Sequence, residues 1–512
     1  MTIETTDPSG LTEDRVRGPV GIRTLAGASV RRVLSSPCTW IVLAAVAGYT
    51  VFATYEYRRL GPAVAEYDLG IFYQTVHSWA FHGNAYSAVK GFSQLGDHFT
   101  PAWALLAPLL WVHDSPYTLV LAQVVFLCAS AIPVYVAVRR AMSTWIAAGL
   151  TCAYLGSMGI QDAIAFPVHE MMFAAPLLAW GIERAMAGRW TQASLLIGAL
   201  SLVKEDFNVL IVAFAVVALG HRQWRHAAAL AVWGVCAYLI TVNVLIPHFA
   251  PPGGYAYLSR DYQDTLHASS SLQLIQVLVF HPGHTLHLLL GGQVKQQLWL
   301  HLLVPVAFLA LASPFGWLIL PNLVSRLVSG KPTEWSWHYH YDTPLMPILF
   351  LAAVDGVCRI AAAARRVSDR LSPGLRAERV VSERRMVLLG GLALTLVSLG
   401  TNAYLTGKVL PIGQWIKHPA AFSSSNSGLD EQRRADAMVP GGATVIVTNG
   451  LGMPLLTRDT VIMPNSVPVG PTWALLDTRD VAWMPGDYPD WLRGQGFATV
   501  GVVGPILVLH RS

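Results

Sequence analysis

The chain has 512 residues, of which 53% are hydrophobic and only 13% charged, and its mean hydropathy is +0.45. Soluble domains carry roughly twice this share of charged residues, so the composition excludes both a fully soluble protein and an intrinsically disordered one. The formal net charge is +5, but the basic residues cluster at the ends of apolar segments. This placement indicates a membrane, and not nucleic acid, as the partner.

The first 38 residues are mostly polar and form too long a stretch to precede the apolar part of a cleavable signal peptide. We expect residues 1–38 to be a cytoplasmic tail, followed by a transmembrane domain over residues 39–406. A span needs about 20 mostly apolar residues. The sequence offers about eleven candidates, several of them short: residues 39–55, 116–138, 143–160, 171–186, 191–203, 206–220, 226–247, 298–312, 315–330, 343–360 and 386–406.

The arginines predict the orientation of these spans. With the tail inside the cell, the main basic clusters fall on the cytoplasmic side, as the positive-inside rule requires. These clusters are Arg139/Arg140, Arg184/Arg189, Arg222/Arg225 and the arginine-rich segment 359–385. The N-terminus is then inside and the C-terminus outside. The alternative is that residues 191–220 form a single span, which would reverse the orientation of everything after it.

Three long segments then lie outside: residues 56–115, 248–297 and 407–512. In the first, Pro101–Val112 is apolar but too short to span, so we expect a helix at the membrane interface. Segment 407–512 has the alternating pattern of a small extracytoplasmic α/β domain. Its expected elements are strands Ala443–Thr448, Val461–Met463, Ala498–Val503 and Ile506–His510, a turn and helix within Gly450–Arg458, and a helix over Asp487–Arg493.

Three adjacent charges, Lys204-Glu205-Asp206, separate two apolar runs. A charge at the bilayer centre costs about 3 kcal/mol. The preceding run, 191–203, is only about 20 Å long as a helix, too short for the ~30 Å hydrocarbon core. We therefore expect a polar recess below the outer surface, in which Lys204 meets an anion such as a phosphate. The alternative is an ordinary solvated turn.

Further acidic and histidine residues fall on the same outer side. Asp68 lies among aromatic and apolar residues in the loop expected after the first span. The other clusters are Asp97-His98, His169-Glu170 and a motif that contains His338 and His340. One such histidine is more often an ordinary interfacial residue than a ligand, but several clusters on one face favour a shared polar cavity. They could hold a divalent cation, although no local ligand spacing marks a metal site.

The order of these features resembles the GT-C superfamily of membrane glycosyltransferases, which use polyprenyl-phosphate sugars. In that superfamily an acidic residue follows the first span, as Asp68 does here. A His- and Pro-containing stretch then leads into a short helix, as after Asp97-His98. An acidic residue opens the fourth span, like Glu170, and a lysine ends the fifth, like Lys204.

A narrower resemblance covers roughly residues 60–475. Four strings are similar to those of a bacterial membrane family of unassigned function: Tyr67–Gly70, Gly96–Phe99, Lys204–Asp206 and His338–Tyr341. Members of that family share a C-terminal outer segment similar to Pro440–Pro464. Two departures from the superfamily leave metal use open: the usual acidic pair in the first loop is here Asp68 followed by Leu69, and the metal-binding Asp-x-Asp pattern is absent.

The resemblance implies an inverting glycosyltransferase in the bacterial plasma membrane. It would move a sugar from a polyprenyl-phosphate donor to a cell-envelope glycan or lipid acceptor on the outer face. Asp68 would be the catalytic base, and Lys204 would neutralise the donor phosphate. The remaining site residues would orient donor or acceptor, or hold a divalent cation: Asp97, His98, His169, Glu170, Glu205, Asp206, His338 and His340.

Two other functions fit parts of the pattern. An ion-coupled transporter also uses broken helices with charges inside the membrane, but the inner halves of these spans are almost wholly apolar and no internal repeat is visible. The other alternative is a non-catalytic scaffold that binds lipid carriers. Asp68→Asn separates the three functions, since only an enzyme would lose turnover and keep lipid binding.

Overall fold

The computed structural model describes residues 35–60, 66–166, 168–251, 257–268, 270–371, 376–417, 427–452, 454–464, 470–480, 484 and 486–512. Nearly all of the predicted cytoplasmic tail, residues 1–34, lies outside these ranges, as does Pro167 next to the His169-Glu170 cluster.

The membrane domain is built almost entirely from helices. Its first half contains α1 (Pro37–Leu60), α2 (Glu66–His82), α3 (Ala107–Val112), α4 (Pro116–Ala129), α5 (Ala131–Ala141), α6 (Thr144–Leu155), α7 (Met158–Ala165), α8 (Met171–Met186), α9 (Trp190–Gly198) and α10 (Phe207–Gly220). A short hairpin of β1 (Tyr86–Ser87) and β2 (Phe92–Ser93) follows α2.

The second half continues in the same way. It contains α11 (Trp224–Ile240), α12 (Ile246–Phe249), α13 (Tyr257–Leu266), α14 (Ser271–Phe280), α15 (Pro282–Leu290), α16 (Gln293–Leu303), α17 (Leu320–Val328), α18 (Leu345–Leu371), α19 (Arg376–Lys408) and α20 (Pro411–Lys417).

Five stretches within the described residues are long and apolar enough to cross a membrane: Pro37–Tyr57, Pro116–Ala141, Trp224–Phe249, Leu345–Arg370 and Val381–Lys408. Four shorter apolar stretches accompany them: Pro101–Val112, Thr144–Leu155, Trp190–Leu202 and Phe207–Gly220. The architecture is the mainly helical one that the sequence predicts. The count of eleven spans and the orientation remain predictions.

Serine side chains begin and interrupt these helices. Ser115, followed by a proline in the first turn, caps α4 by accepting from the Tyr117 backbone N–H, and Ser143 caps α6 in the same way. Between α4 and α5, the Ser130 hydroxyl donates to the Leu127 carbonyl and also bonds to the Tyr154 hydroxyl. A side chain that satisfies a helix end or a break locally lets the helix boundary lie inside a bundle.

The predicted interfacial segment consists of a 3₁₀ helix, Pro101–Leu106, continued by α3. One face is buried against the bundle through Trp103, Leu106 and Leu110, whereas the other face exposes large apolar side chains. Those exposed side chains are Leu105, Leu109, Trp111 and Val112. An exposed apolar face on a helical segment too short to span agrees with a position at the membrane interface.

The C-terminal domain, residues 427–512, is the one that the sequence predicts to lie outside the membrane, and we call it the outer domain. It has one mixed five-stranded sheet in the order β4-β3-β5-β7-β6. Its elements are α21 (Ser427–Asp436), β3 (Thr444–Val447), β4 (Thr460–Ile462), β5 (Trp473–Asp477), α22 (Tyr488–Gly494), β6 (Ala498–Val503) and β7 (Ile506–His510). β3 is parallel to both β4 and β5, and β7 is antiparallel to β5 and β6.

Two details of this domain differ from the sequence prediction. β5 lies in the middle of the sheet and was not predicted, because Trp473–Asp477 is a continuous buried run rich in alanine and leucine, without the alternation that marks a strand. The helix expected within Gly450–Arg458 is a series of turns instead. Pro454 removes a backbone donor there and so disfavours a helix.

A buried acid at the end of α21 makes the stability of the outer domain pH-dependent. Neither carboxylate oxygen of Asp436 has a hydrogen-bond partner among the described residues. Burial raises the pKa of Asp436 to about 7, with Arg458 opposing the rise and Asp459 adding to it. The unfolded chain ionises near pH 3.9, so between about pH 4 and 7 the folded domain binds more protons, and its stability falls as pH rises.

We therefore expect Asp436→Asn to flatten this pH dependence and to make the outer domain more stable than wild type at pH 8. The measurement is amide hydrogen exchange of β3 from pH 5 to pH 8, corrected for the intrinsic exchange rate. An identical pH slope in the variant and in wild type would contradict the assignment.

Candidate functional site

Four charged side chains from three parts of the chain form a continuous row at one end of the helical bundle. Asp68 Oδ2 lies 3.7 Å from His169 Nε2, and His169 Nδ1 lies 3.0 Å from Glu170 Oε2. The other oxygen of Glu170 lies 3.0 Å from the ammonium group of Lys204. We call these four residues the acid–imidazole row. The acid and the amine that the sequence predicts to share a site are joined through the two residues between them.

Asp68 lies in the first turn of α2, and the prediction of a loop at this position was wrong. Asp68 and Gly70 are typical of a turn, but they are outweighed by apolar residues at helical spacing. The buried face of the helix consists of Leu69, Phe72, Tyr73 and Val76. Burial of this face leaves Asp68 at the edge, with 29% of its side chain exposed.

His340 fixes the plane of the His169 ring. The two imidazoles are stacked, with centroids 3.4 Å apart and planes 13° apart. The segment that carries His340 runs close over α7, where a Cβ on Gly159 would lie 2.7 Å from the Asp342 carbonyl oxygen. Thr343 Oγ1 also donates to the Gly159 carbonyl oxygen at 3.0 Å. Glycine at position 159 is therefore required for the close approach that stacks the two rings.

The Lys204-Glu205-Asp206 triplet lies where two short helices meet, as expected. α9 continues as a 3₁₀ turn to Leu202, and α10 begins at Phe207. The three side chains then diverge: Lys204 faces Glu170, Glu205 is fully buried and Asp206 is exposed towards the cavity described below. Glu205 lies 2.6 Å from His98 Nδ1 and accepts a 3.0 Å hydrogen bond from the Phe99 backbone N–H. This pair joins the outer loop to the short helices.

The remaining predicted residues separate into two groups. Asp97 forms a 2.8 Å ion pair with Lys90 of the β1–β2 hairpin, and both line the cavity. His338 is exposed, packs against its neighbours Trp337 and Tyr339, and is absent from the cavity wall formed by the described residues. The structure therefore brings Asp97 but not His338 to the site.

The acid–imidazole row opens into a cavity of about 1920 Å³. Asp68, Lys204 and Asp206 lie at one end, and the cavity follows α10 as far as Gly220 and Arg359. A 14-residue helix is about 21 Å long, so the cavity is long in comparison with the ~30 Å hydrocarbon core of a bilayer. Between its polar end and its far end the wall is mainly apolar: Val209, Val212, Val216, Val235, Leu239, Ile275, Leu278, Trp317 and Leu320.

Two residues at the site, Lys90 and Arg326, were not predicted from the sequence. Lys90 stands in a polar loop where nothing in the sequence singles it out. Arg326, in contrast, is a charged residue within the apolar α17, which is the same signal that identified Lys204. Arg326 is buried, forms a 2.7 Å ion pair with Asp342 and donates to the backbone carbonyl oxygens of Tyr341 and Glu334. It anchors the segment that carries His340.

The charge of the row is balanced within it. His169 lies in the segment between α7 and α8, outside the helices. Burial lowers the pKa of His169, but the carboxylates of Glu170 and Asp68 raise it to about 9. The imidazole is therefore protonated at neutral pH, and with Lys204 it supplies two positive charges beside two carboxylates.

Most of the candidate histidines and carboxylates take part in ion pairs. Within the described residues, no group of three or more His, Cys, Asp or Glu side chains has the arrangement of a metal site. Asp97 pairs with Lys90, and His98 with Glu205. A protonated His169 between two carboxylates has no lone pair to offer a cation. The residues of the row therefore do not fit a divalent metal.

Gln74 connects the outer domain to the helix that carries Asp68. Its amide donates to the Val461 carbonyl oxygen in β4 at 2.9 Å. Its carbonyl oxygen accepts from the Ser87 hydroxyl at 3.0 Å and from the Val89 backbone N–H at 2.9 Å. One side chain thus holds α2, the Lys90 hairpin and the outer domain together.

We expect Gln74→Ala to loosen this junction. Loss of three hydrogen bonds, worth about 1 kcal/mol each, should accelerate amide exchange in β4 and in the hairpin by about tenfold or more. Gln414→Ala is the matched control, since that exposed amide donates to Lys408 at a distant site. Equal protection in all three proteins would contradict the role of Gln74.

Comparison with known proteins places this geometry in context. Among solved structures, the fold is similar to that of ArnT from Cupriavidus metallidurans bound to undecaprenyl phosphate. The TM-score is 0.52 at 15% sequence identity, over 92% of this chain and 97% of that chain. The same protein in the apo state gives a TM-score of 0.51 at 14% identity with the same coverage. The likeness confirms the predicted GT-C-like fold.

No curated protein matches the chain. A family model does match, over residues 63–485, and its description is a predicted membrane protein, DUF2079. This match covers most of the sequence and confirms the resemblance to a membrane family of unassigned function. The chain is a membrane protein and belongs to the DUF2079 family.

Proposed function

We propose that the protein is a glycosyltransferase that takes a sugar from a polyprenyl-phosphate donor and transfers it to a hydroxylated acceptor of the cell envelope. The observation that carries the proposal is the shared position of Asp68 and Lys204. Both line one cavity, and both belong to the row that runs through His169 and Glu170. A base and a cation in one pocket are what sugar transfer from a phosphate ester requires.

The shape of the cavity supports a lipid-linked donor. Its polar end holds the acid–imidazole row, and its long wall along α10 is mainly apolar. A prenyl chain has no polar groups and is favoured against such a wall by the hydrophobic effect. The ArnT structure similar to this chain is described as bound to undecaprenyl phosphate, which supports the same class of ligand here.

In the proposed reaction the acceptor hydroxyl oxygen attacks the anomeric carbon of the sugar. As the new C–O bond forms, the bond from that carbon to the phosphate oxygen breaks, and its electron pair leaves with the polyprenyl phosphate. Asp68 takes the hydroxyl proton, and the Lys204 ammonium stabilises the negative charge that develops on the leaving phosphate. A single displacement of this kind inverts the anomeric centre.

The neighbouring residues hold Asp68 and Lys204 in position. His169 lies 3.7 Å from Asp68 and helps to hold its carboxylate at the cavity. Glu170 holds both His169 and Lys204 in place, and stacking against His340 fixes the ring. Asp97, His98 and Asp206 line the same cavity and would orient the donor sugar or the acceptor. Glu205 acts through His98.

The two alternative functions have less support. An ion-coupled transporter needs polar groups along its path, whereas the wall of this cavity along α10 is mainly apolar between the row and Arg359. A lipid-binding scaffold needs the apolar groove but has no use for the carboxylate of Asp68 beside it.

The test is donor turnover by the full-length protein in nanodiscs. The donor is an undecaprenyl-phosphate sugar with a label on its sugar. It is incubated with the protein in buffer alone, where water is the acceptor, and with cell-envelope extracts. Labelled products and free undecaprenyl phosphate are then measured. We expect release of undecaprenyl phosphate together with labelled glycan or free sugar. Binding of the donor without any release of undecaprenyl phosphate would contradict the proposal and favour the scaffold.

A further inference from the structure

The outer domain contributes a polar residue to the cavity. Asn449, two residues after the end of β3, lines the same cavity as Asp68, Lys90 and Asp97. Gly450 follows with a φ of 113°, a conformation that favours glycine, so the chain turns sharply just after Asn449. A residue 381 positions from Asp68 in sequence therefore shares its site.

Asn449 also lies at the position where α/β sheets bind ligands. In the sheet order β4-β3-β5-β7-β6, the connection after β3 leads to β4 at one edge of the sheet, whereas the connection after β5 leads to β6 at the opposite edge. Parallel strands whose connections diverge leave a crevice at their carboxyl ends, which is the usual ligand position in open α/β sheets. Thr448 Oγ1 accepts from the Asp477 backbone N–H at 2.9 Å, so the ends of β3 and β5 are joined directly beside Asn449.

The crevice is held against the acid–imidazole row by packing and hydrogen bonds. A Cβ on Gly70, two residues after Asp68, would lie 3.7 Å from Leu456 of the outer domain and 3.6 Å from Val89 of the hairpin. Gln74, one turn further along α2, donates to Val461 in β4. The outer domain therefore contacts the catalytic helix within two residues of the proposed base.

We infer that the carboxyl ends of β3 and β5 form the acceptor subsite, and that Asn449 is a specificity-determining residue for a polyhydroxylated acceptor. The inference rests on the proposed function and assigns its acceptor side to the outer domain. A side-chain amide offers both a donor and an acceptor of hydrogen bonds, which suits neighbouring hydroxyl groups of a sugar. Lys90 and Asp97 line the same cavity and would supply further polar contacts.

The experiment measures how the donor sugar is partitioned between water and an added acceptor. Full-length protein in nanodiscs receives a labelled undecaprenyl-phosphate sugar together with methyl α-mannoside, maltose or glycerol. The variants are Asn449→Ala and Asn449→Asp, where the second keeps the size of the side chain but replaces the amide donor with a second, negatively charged acceptor. Gln495→Ala is the matched control, because it removes an exposed amide of the same domain.

We expect wild type to transfer label to at least one of these compounds, and the ratio of transfer to hydrolysis to fall about tenfold in Asn449→Ala. Asn449→Asp should show a smaller fall, and Gln495→Ala none. Wild-type hydrolysis with no transfer to any of the compounds, or an unchanged ratio in both Asn449 variants, would overturn the inference while leaving the proposed function in place. Absence of any donor turnover would instead overturn the proposed function, and the inference with it.

Discussion

Asp68→Asn should lower the turnover number for sugar transfer by about 10²- to 10⁴-fold, the contribution typical of a positioned general base. The amide of the introduced asparagine is nearly the same size as the carboxylate of Asp68, and it can still form hydrogen bonds although it carries no charge. It cannot take the acceptor proton at neutral pH. The affinity for undecaprenyl phosphate should stay close to that of wild type, because Lys204 and the apolar wall along α10 are unchanged.

The matched control is Asp490→Asn, a highly exposed acid of the outer domain that forms an ion pair with Arg493 on the same helix. Transfer is measured with labelled donor, and lipid binding by native mass spectrometry of the same preparations. Wild-type turnover in Asp68→Asn would show that Asp68 is not the base. Equal loss of lipid binding and turnover would indicate a structural role for Asp68 instead.

Lys204→Met should have the second large effect, on stability as well as on donor binding. Glu170 is almost completely buried, and removal of its ammonium partner leaves a buried carboxylate with only His169 as a counter-charge. Breaking a buried ion pair from one side costs about 3 to 5 kcal/mol. The affinity for undecaprenyl phosphate should fall by at least about tenfold, since a charge-assisted contact with the phosphate is also lost.

The double variant Glu170→Gln/Lys204→Met separates these two effects. It removes both charges of the pair, so we expect stability to recover in part while the lipid affinity stays low. Thermal unfolding and native mass spectrometry provide the two readouts, with Lys417→Met as the control at an exposed and distant lysine. Recovery of lipid affinity in the double variant would show that Lys204 serves only to neutralise Glu170.

Much of the fold could be predicted from the sequence because its strongest signals are local. The membrane domain follows from the length of the apolar runs, and the helix boundaries follow from residues such as Ser115 and Ser143, which cap their own helices. β5 could not be predicted in this way. It becomes a strand because the parallel β3 and the antiparallel β7 pair with it on its two sides, and these are contacts that no short window of sequence contains.

The site was predictable to the extent that a charge is conspicuous in apolar surroundings. Lys204 and Glu170 stand out for this reason, and the structure places them 3.0 Å apart. Gln74 and Asn449 are ordinary polar residues in the sequence, and their importance depends on how the outer domain docks. That docking joins segments almost 400 residues apart, so its consequences could be learned only from the structure.

The most direct test of the account is an experimental structure of the full-length protein in nanodiscs with a bound undecaprenyl-phosphate sugar. We expect the donor phosphate within about 3 Å of Lys204 Nζ, the sugar next to Asp68 and the prenyl chain along α10. A phosphate bound elsewhere, or a Lys204 side chain that contacts no part of the donor while Asp68 faces away from the sugar, would contradict the account.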